Sequence, residues 1–440
     1  MSKQNTPSLR ESQHDRVEAP SPHGPFDVVI VGGGSAGIAT AASLLKRTRD
    51  LKIAVIEPAS EHFYQPGWTM VGAGIFAPES TRCPMADIMP AGVTWIQQRV
   101  SSFEPERNEV VLDDNSRLAY RTLVAAPGIK LDWSSVEGLS SALGRNGVTS
   151  NYLYDLAPYT WELVRKLDRG TALFTQPPMP IKCAGAPQKA MYLSCDTWLR
   201  KDVLKNIGVE FHNAGPALFG VAAYVPALME YVEKYGIDLR FNSTLVAVDG
   251  PAATATFETR DADGQVRRFD RRFDMLHVVP TQVAPDFVRS SPLANEAGFI
   301  DVDHATLRHK RFDNVFALGD ACSAPNAKTI AAARKQAPIV AVNVLAALEG
   351  NQPLLPAYDG YGACPLTVER GKIVLAEFGY GGKLLPTFPT WAIEGTRPSR
   401  TAWFLKSRIL PPVYWRAMLK GHEWLVTPTM KTKPQGGAAI

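Results

Sequence analysis

Apolar residues fall along this chain in short, turn-bounded runs that alternate with stretches of helical spacing. Phe26-Asp27-Val28-Val29-Ile30-Val31 reads as a strand buried on both faces. The glycine turn Gly32–Gly37 follows, then a helix (AGIATAASLLKR), then a second strand (KIAVIE) that closes on Glu57. Later runs repeat the form. Leu123–Ala126 ends at Pro127-Gly128, Gly170–Thr175 precedes a proline-rich loop and a helix (AMYLSCDTWLRK), and Asn314–Leu318 ends at Gly319-Asp320. Such alternation predicts an α/β fold with parallel sheets.

The longest uncharged run, Val28 to Leu45, has the length of a membrane span. Three consecutive glycines in its interior weaken any helix, so it divides into strand, turn and helix. No other stretch is long and apolar enough to span. The first 25 residues carry three bases, three acids and no apolar core, which fits neither a signal peptide nor an acid-poor transit peptide. They read as a disordered, solvated tail.

With 440 residues, the chain has room for about three domains. Its 45% hydrophobic and 20% charged residues are those of a globular protein. A net charge of +4 gives no reason to expect nucleic-acid binding. Five cysteines with no C-x-x-C spacing exclude a disulfide scaffold and a zinc ribbon, and no metal site is expected.

Gly32-Gly33-Gly34-Ser35-Ala36-Gly37 satisfies G-x-G-x-x-G between a strand and a helix. Gly32 permits the tight turn, Gly34 lets a pyrophosphate approach the backbone, and Gly37 lets helix and strand pack closely. Glu57 lies twenty residues beyond Gly37, the reach of a ribose hydroxyl pair, and an acid there favours FAD or NAD over NADP. With Pro127-Gly128 and Gly319-Asp320, the chain resembles the two-dinucleotide-binding flavoproteins. That resemblance implies that the first of these segments passes under FAD and that Asp320 binds its ribityl chain. It also points the helix start at Lys328-Thr329 toward the flavin pyrimidine, where a cation would stabilise the reduced ring. A solvated lysine is the plainer alternative.

Flavoproteins of this architecture that oxidise NAD(P)H carry a second glycine fingerprint. Here the strand Gly170–Thr175 leads instead into Gln176-Pro177-Pro178-Met179-Pro180. Proline offers no N–H, so a second pyrophosphate would find few donors. The electrons are expected to enter from another source.

Cys183 lies in that loop just before a helix start, with Lys182 and Lys189 close in sequence, so its thiol should be acidic and nucleophilic. Cys364 sits in a turn-rich segment (Tyr358-Asp359-Gly360-Tyr361-Gly362-Ala363-Cys364-Pro365-Leu366) ahead of a strand (KIVLAEFGY). Taken singly, a cysteine in either position is more often an inert core residue. Cys195, Cys322 and Cys83 read as packing residues.

Through KCAGAPQK, YDGYGACPL and the FAD motifs, from about Phe26 to about Gly421, the chain resembles sulfide:quinone oxidoreductases. The likeness is to the branch that includes the mitochondrial enzyme. It implies two Rossmann-like domains in tandem with a C-terminal amphipathic membrane-binding segment. It also implies a redox pair, Cys183 and Cys364, over the flavin. Sulfide would open their disulfide to a persulfide, a small nucleophile would take the sulfur, and FAD would pass electrons to a quinone. Other branches use a third cysteine near the LVAAPG strand. Ala125 to Trp133 contains none, so FAD is expected to be non-covalent. The domains expected are 26–140 with 286–355 for FAD, 141–285 for the first cysteine, and 356–440 for the second cysteine and the membrane helices.

Between Arg397 and Lys420 stand six basic residues and no acid, interleaved with aromatic and aliphatic residues and divided by Pro411-Pro412 into two expected helices. This is the composition of an interfacial helix, and residues 397–425 are the expected membrane surface. A helix packed on its own protein is the alternative. Phe378, Tyr380 and Tyr414 are candidates for a quinone channel. The expected location is the face of a bacterial cytoplasmic or mitochondrial inner membrane. The oligomeric state stays open, a homo-oligomer included. Competing readings are a soluble sulfide dehydrogenase flavoprotein that reduces a cytochrome, a type II NADH:quinone oxidoreductase, and a non-enzymatic flavin-binding protein.

Overall fold

The computed structural model describes residues 25–260, 263–325, 327–350 and 357–428. The expected N-terminal tail up to residue 24, and the chain end from 429, lie outside them. The first parallel sheet runs, edge inward, Val93–Ile96, Ile53–Ile56, Phe26–Val31 and Arg117–Ala125, with Val315–Ala317 also pairing Arg117–Ala125. Register brings the functional turns together: Val31 pairs Ala125, and Ala125 pairs Ala317. The glycine turn, Pro127-Gly128 and Gly319-Asp320 therefore leave the sheet along one edge, the place where open α/β sheets hold ligands.

Packing makes this edge rigid. Val28, Val29, Ile30, Leu123, Val124 and Phe316 are fully buried, and the Ser35–Arg47 helix lies against the Ile330–Leu348 helix. Ile38 and Leu44 in that helix are completely enclosed, each worth about 2 kcal/mol of burial.

A second parallel sheet holds Val148–Thr149, Met275–His277, Gly170–Gln176, Ile207–Asn213 and Asp238–Phe241, in that spatial order. A three-stranded antiparallel sheet, Ser243–Asp249, Thr254–Arg260 and Val266–Arg272, is inserted in the chain between Asp238–Phe241 and Met275–His277. The Ala186–Arg200 helix begins four residues earlier than the apolar run starting at Ala190 suggests, with Pro187 in its first turn, where no N–H is needed.

The antiparallel pair Gly362–Glu369 and Lys372–Phe378 lies against the Ala186–Arg200 helix. Cys364 is thus inside a strand, not in a turn before one. The adjacent Pro365 is tolerated because this two-stranded sheet leaves its other edge unpaired. At the C-terminal end, Arg400–Phe404 passes through a π-helical turn, Leu405–Ile409, into the Leu410–Arg416 helix. Pro411 and Pro412 sit in the first turn of that last helix, so the boundary precedes them. Among the described residues no helix is long and apolar enough to cross a membrane.

Candidate active site

One cavity of about 420 Å³ runs from the glycine turn, past Cys183, to the C-terminal helices. At its nucleotide end Gly32 holds φ +102°, and a Cβ there would lie 2.4 Å from the Ala126 carbonyl oxygen. A Cβ on Gly37 would lie 1.9 Å from the Gly32 oxygen, whereas nothing stands within 4 Å of the Cβ position of Gly34. Two of the glycines are required by packing, and the third leaves the approach to the helix N-terminus open. Glu57 is held by the N–H groups of Gly33 (2.8 Å) and Ala59 (2.8 Å).

Across the cavity, burial raises the pKa of Asp320, and the nearby Lys328 and Lys182 oppose that rise. Thr329 caps the Ile330–Leu348 helix by accepting from Ala332 N–H at 3.2 Å. Lys328 lines the wall, but its Nζ donates to the carbonyls of Asp320 (2.7 Å) and Cys322 (3.1 Å) and rests over Phe299. The cation that reaches into the cavity from the sulfur loop is Lys182. Its Nζ donates to Gln65 Oε1 at 2.7 Å, and burial lowers its pKa to about 8. Asn151 and Trp68, also on the wall, have buried amide and indole groups with no partner among the described residues. Unpaired buried donors and acceptors of this kind call for a polar ligand.

The sulfur centre lies where the second sheet's strand turns into the Ala186–Arg200 helix, the position a second pyrophosphate would need. Cys183 has φ +51°, and its N–H donates to the Lys328 carbonyl at 2.8 Å, which ties the loop to the Asp320 side of the cavity. Gly185 lets the Cys364 strand approach, since a Cβ there would lie 2.1 Å from Leu366 Cδ2. The two cysteines, 181 positions apart in sequence, are brought together: Cys183 packs against the buried cluster that holds Cys364, and each is the first influence on the other's acidity.

Their protonation is split. The hydrogen bond from Cys364, then the Lys189 ammonium and Lys406, hold Cys183 well below the usual thiol range against the penalty of burial. Lys189 Nζ stands 3.0 Å from Cys183 Sγ. Cys364, fully buried, is driven well above that range, first by its bond to Cys183 and then by burial. Cys183 lines the cavity and Cys364 stands behind it. Of the other cysteines, Cys195 and Cys322 are buried with raised pKa values, and Cys83 pairs with His62 in a short strand.

Lys406 corrects the reading of the C-terminal bases. It is 4% exposed and donates to Thr367 Oγ1 (3.0 Å) and the Pro365 carbonyl (3.3 Å), beneath the Cys364 strand. Arg397, Arg400, Arg408, Arg416 and Lys420 are exposed. Phe404, Trp391, Trp424 and Leu425 are exposed apolar residues of the same region, while Met418 and Leu419 pack into the first domain's core.

Of the candidates for a quinone channel, Tyr414 alone reaches the cavity wall. Its hydroxyl bonds Ser35 Oγ (2.7 Å) and His62 Nε2 (2.5 Å), which fixes the last helix to the glycine turn. Phe378 packs edge-on against Phe219, and Tyr380 donates to the His304 carbonyl. Gln65, Asn151, Tyr361 and Glu377, to which the sequence assigned no role, line the cavity together with Lys406.

The family model of pyridine nucleotide-disulphide oxidoreductases matches residues 26–180. The chain is 40% identical, over 92% of its length and 88% of the relative's, to the mitochondrial sulfide:quinone oxidoreductase of Dictyostelium discoideum. It is 36% identical, over 90% and 87%, to that of Mus musculus. The solved sulfide:quinone oxidoreductase of Aquifex aeolicus superposes with a TM-score of 0.74 over 94% of this chain and 99% of the other, at 19% identity, and shares the fold.

Proposed function

The chain belongs to the sulfide:quinone oxidoreductase family, and on that footing we propose that Cys183 and Cys364 are its redox pair, working beside a non-covalent FAD at the face of a membrane. The enzyme oxidises sulfide and uses a quinone as electron acceptor. The single observation that carries the cysteine reading is that the strand holding Cys364 packs directly behind the Cys183 loop, which lines the dinucleotide cavity.

Hydrosulfide attacks the sulfur of Cys364 in the Cys183–Cys364 disulfide. The S–S bond breaks, Cys183 leaves as a thiolate, and Cys364 carries the persulfide. Leaving-group ability favours this direction, because the more acidic thiol departs faster and Lys189 stabilises its charge. A small nucleophile then takes the outer sulfur and leaves Cys364 reduced. Re-forming the disulfide releases two electrons and the thiol protons. FAD, when bound, supplies a two-electron store between this sulfur chemistry and the quinone. Gly32, Gly34, Ser35, Ala36 and Gly37 would hold its phosphates, Glu57 its adenosine ribose, Asp320 its ribityl chain, and Pro127, Gly128, Gly319, Lys328 and Thr329 its flavin end.

The same reading assigns 26–140 with 286–355 to FAD, 141–285 to the first cysteine, and 356–440 to the second cysteine and the membrane face. Exposed Phe404, Trp424 and Leu425 beside Arg400, Arg408 and Arg416 are the candidates for lipid contact. The deciding experiment is anaerobic sulfide titration of the flavin absorbance in wild-type, Cys183→Ser and Cys364→Ser proteins. Bleaching in the wild type alone supports the pair, and bleaching in either variant overturns it.

A further inference from the structure

Reduction of a quinone to a quinol takes up two electrons and two protons, and the C-terminal helices give the cavity an apolar end. There, among Leu405, Ile409, Leu410 and Val413, the wall carries one carboxylate that is 5% exposed, Glu377. Its Oε1 accepts from Tyr361 Oη–H (2.7 Å) and Thr387 Oγ1–H (2.5 Å), and its Oε2 from Thr387 N–H (3.2 Å). Tyr361 and Thr387 hydroxyls also lie 3.0 Å apart. All three side chains line the cavity, and Thr387 is exposed on its outer side.

Neighbouring groups fix this cluster in place. Lys335 rests over the Tyr361 ring at 4.9 Å while paired to Asp359 at 2.8 Å. Arg334 lines the same wall with its Nε buried and unpartnered among the described residues. Gly362, next to Tyr361, abuts the cap of the Ile330–Leu348 helix, since a Cβ on it would lie 3.7 Å from Thr329 Oγ1. Tyr361 therefore lines the cavity one residue from that contact with the helix cap. Burying an acid in such a wall is costly, and packing alone does not require one.

We propose that Tyr361 and Glu377 form the proton-delivery pair for the quinone, with Thr387 as their link to solvent. This rests on the sulfide:quinone reading above. The Tyr361 O–H bond breaks as the O–H bond to one quinone oxygen forms. A proton from water passes by way of Thr387 to Glu377 and on to the tyrosine oxygen, which leaves Glu377 the carboxylate it began as. Bound FAD, once reduced, would supply the two electrons and the other proton.

The test uses the full-length, FAD-loaded protein with Glu377→Gln and Tyr361→Phe variants. Each is reduced anaerobically with one equivalent of sulfide and reoxidised, in separate experiments, by a short-chain benzoquinone or by ferricyanide, which accepts electrons without protons. The expected result is quinone reoxidation slowed about 10- to 100-fold, with ferricyanide reoxidation unchanged. Benzoquinone affinity of the oxidised Glu377→Gln protein, read by fluorescence quenching, should stay within about threefold of wild type. Quinone reoxidation at the wild-type rate, or equal slowing with both acceptors, would overturn the proposal. If Tyr361→Phe loses FAD, Glu377→Gln and Thr387→Val decide the matter by the same split. Wild-type protein that sulfide does not bleach, or that quinone does not reoxidise, would instead overturn the underlying function.

Discussion

Lys189 sets its ammonium 3.0 Å from the sulfur of Cys183, one helical turn and a half along the chain and across the N-terminus of the Ala186–Arg200 helix. The pairing turns a sequence neighbour into an electrostatic partner. After the interaction with Cys364, this cation is the main influence that keeps the Cys183 thiol acidic. Replacing Lys189 with Met removes the cation while keeping most of the stem. Alkylation of Cys183 by iodoacetamide in the reduced protein at neutral pH should slow by about 10-fold or more, because less thiolate is present. An unchanged alkylation profile against pH would remove Lys189 from this role.

The glycines should separate by cause. Gly37→Ala drives a Cβ into the Gly32 carbonyl and should cost folded protein, seen as a lowered thermal midpoint. Gly34→Ala meets nothing in the protein. Its midpoint without cofactor should match wild type, while FAD, measured by equilibrium dialysis, binds more weakly. Equal FAD affinity in Gly34→Ala would argue that no phosphate approaches there.

This contrast shows what was legible in the sequence. Strands ending at Gly32, Pro127 and Gly319 are local patterns, and parallel register alone brings their ends to one edge. The meeting of Cys183 with Cys364 was not legible from spacing, since it depends on Gly185 admitting Leu366 and on a strand that the run of turn residues and Pro365 concealed. Lys406 misled for a related reason. Among five exposed bases on a helical stretch it has the composition of a lipid contact, and only the fold turns it under the Cys364 strand. Tyr361 lies in the Cys364 motif without a role of its own there, Glu377 carries no motif, and their significance comes from sharing a cavity wall.

Acid should weaken the fold through its buried histidines. Burial lowers the pKa of His62 to about 4, of His277 to about 4 and of His212 to about 3. All three are neutral in both states above pH 6.5. As pH falls below that value the unfolded chain binds protons that the native state refuses, so stability is lost, at about 1.4 kcal/mol per pH unit for each histidine, until the native values are reached. The thermal midpoint should drop between pH 7 and pH 5. His62→Gln should flatten that slope, and an unaltered slope would exclude His62 as a contributor.

Membrane attachment is best tested without deleting the C-terminal segment. Truncation at Glu394 would remove Lys406 and Tyr414 from the cavity along with any lipid contact. Phe404→Ser with Trp424→Ser and Leu425→Ser changes exposed positions, the last two at the rim of the cavity. In flotation with vesicles containing anionic lipid, the triple variant should stay unbound while keeping its flavin and its reduction by sulfide. Wild-type binding by the triple variant would place the membrane face elsewhere.

The most direct measurement is the visible absorbance of the flavin during anaerobic addition of sulfide, followed by a soluble quinone analogue. The cysteine-pair mechanism requires bleaching in wild type and its reversal by quinone. It also requires full FAD content without bleaching in Cys183→Ser and Cys364→Ser. Bleaching of either serine variant by sulfide at the wild-type rate would contradict it.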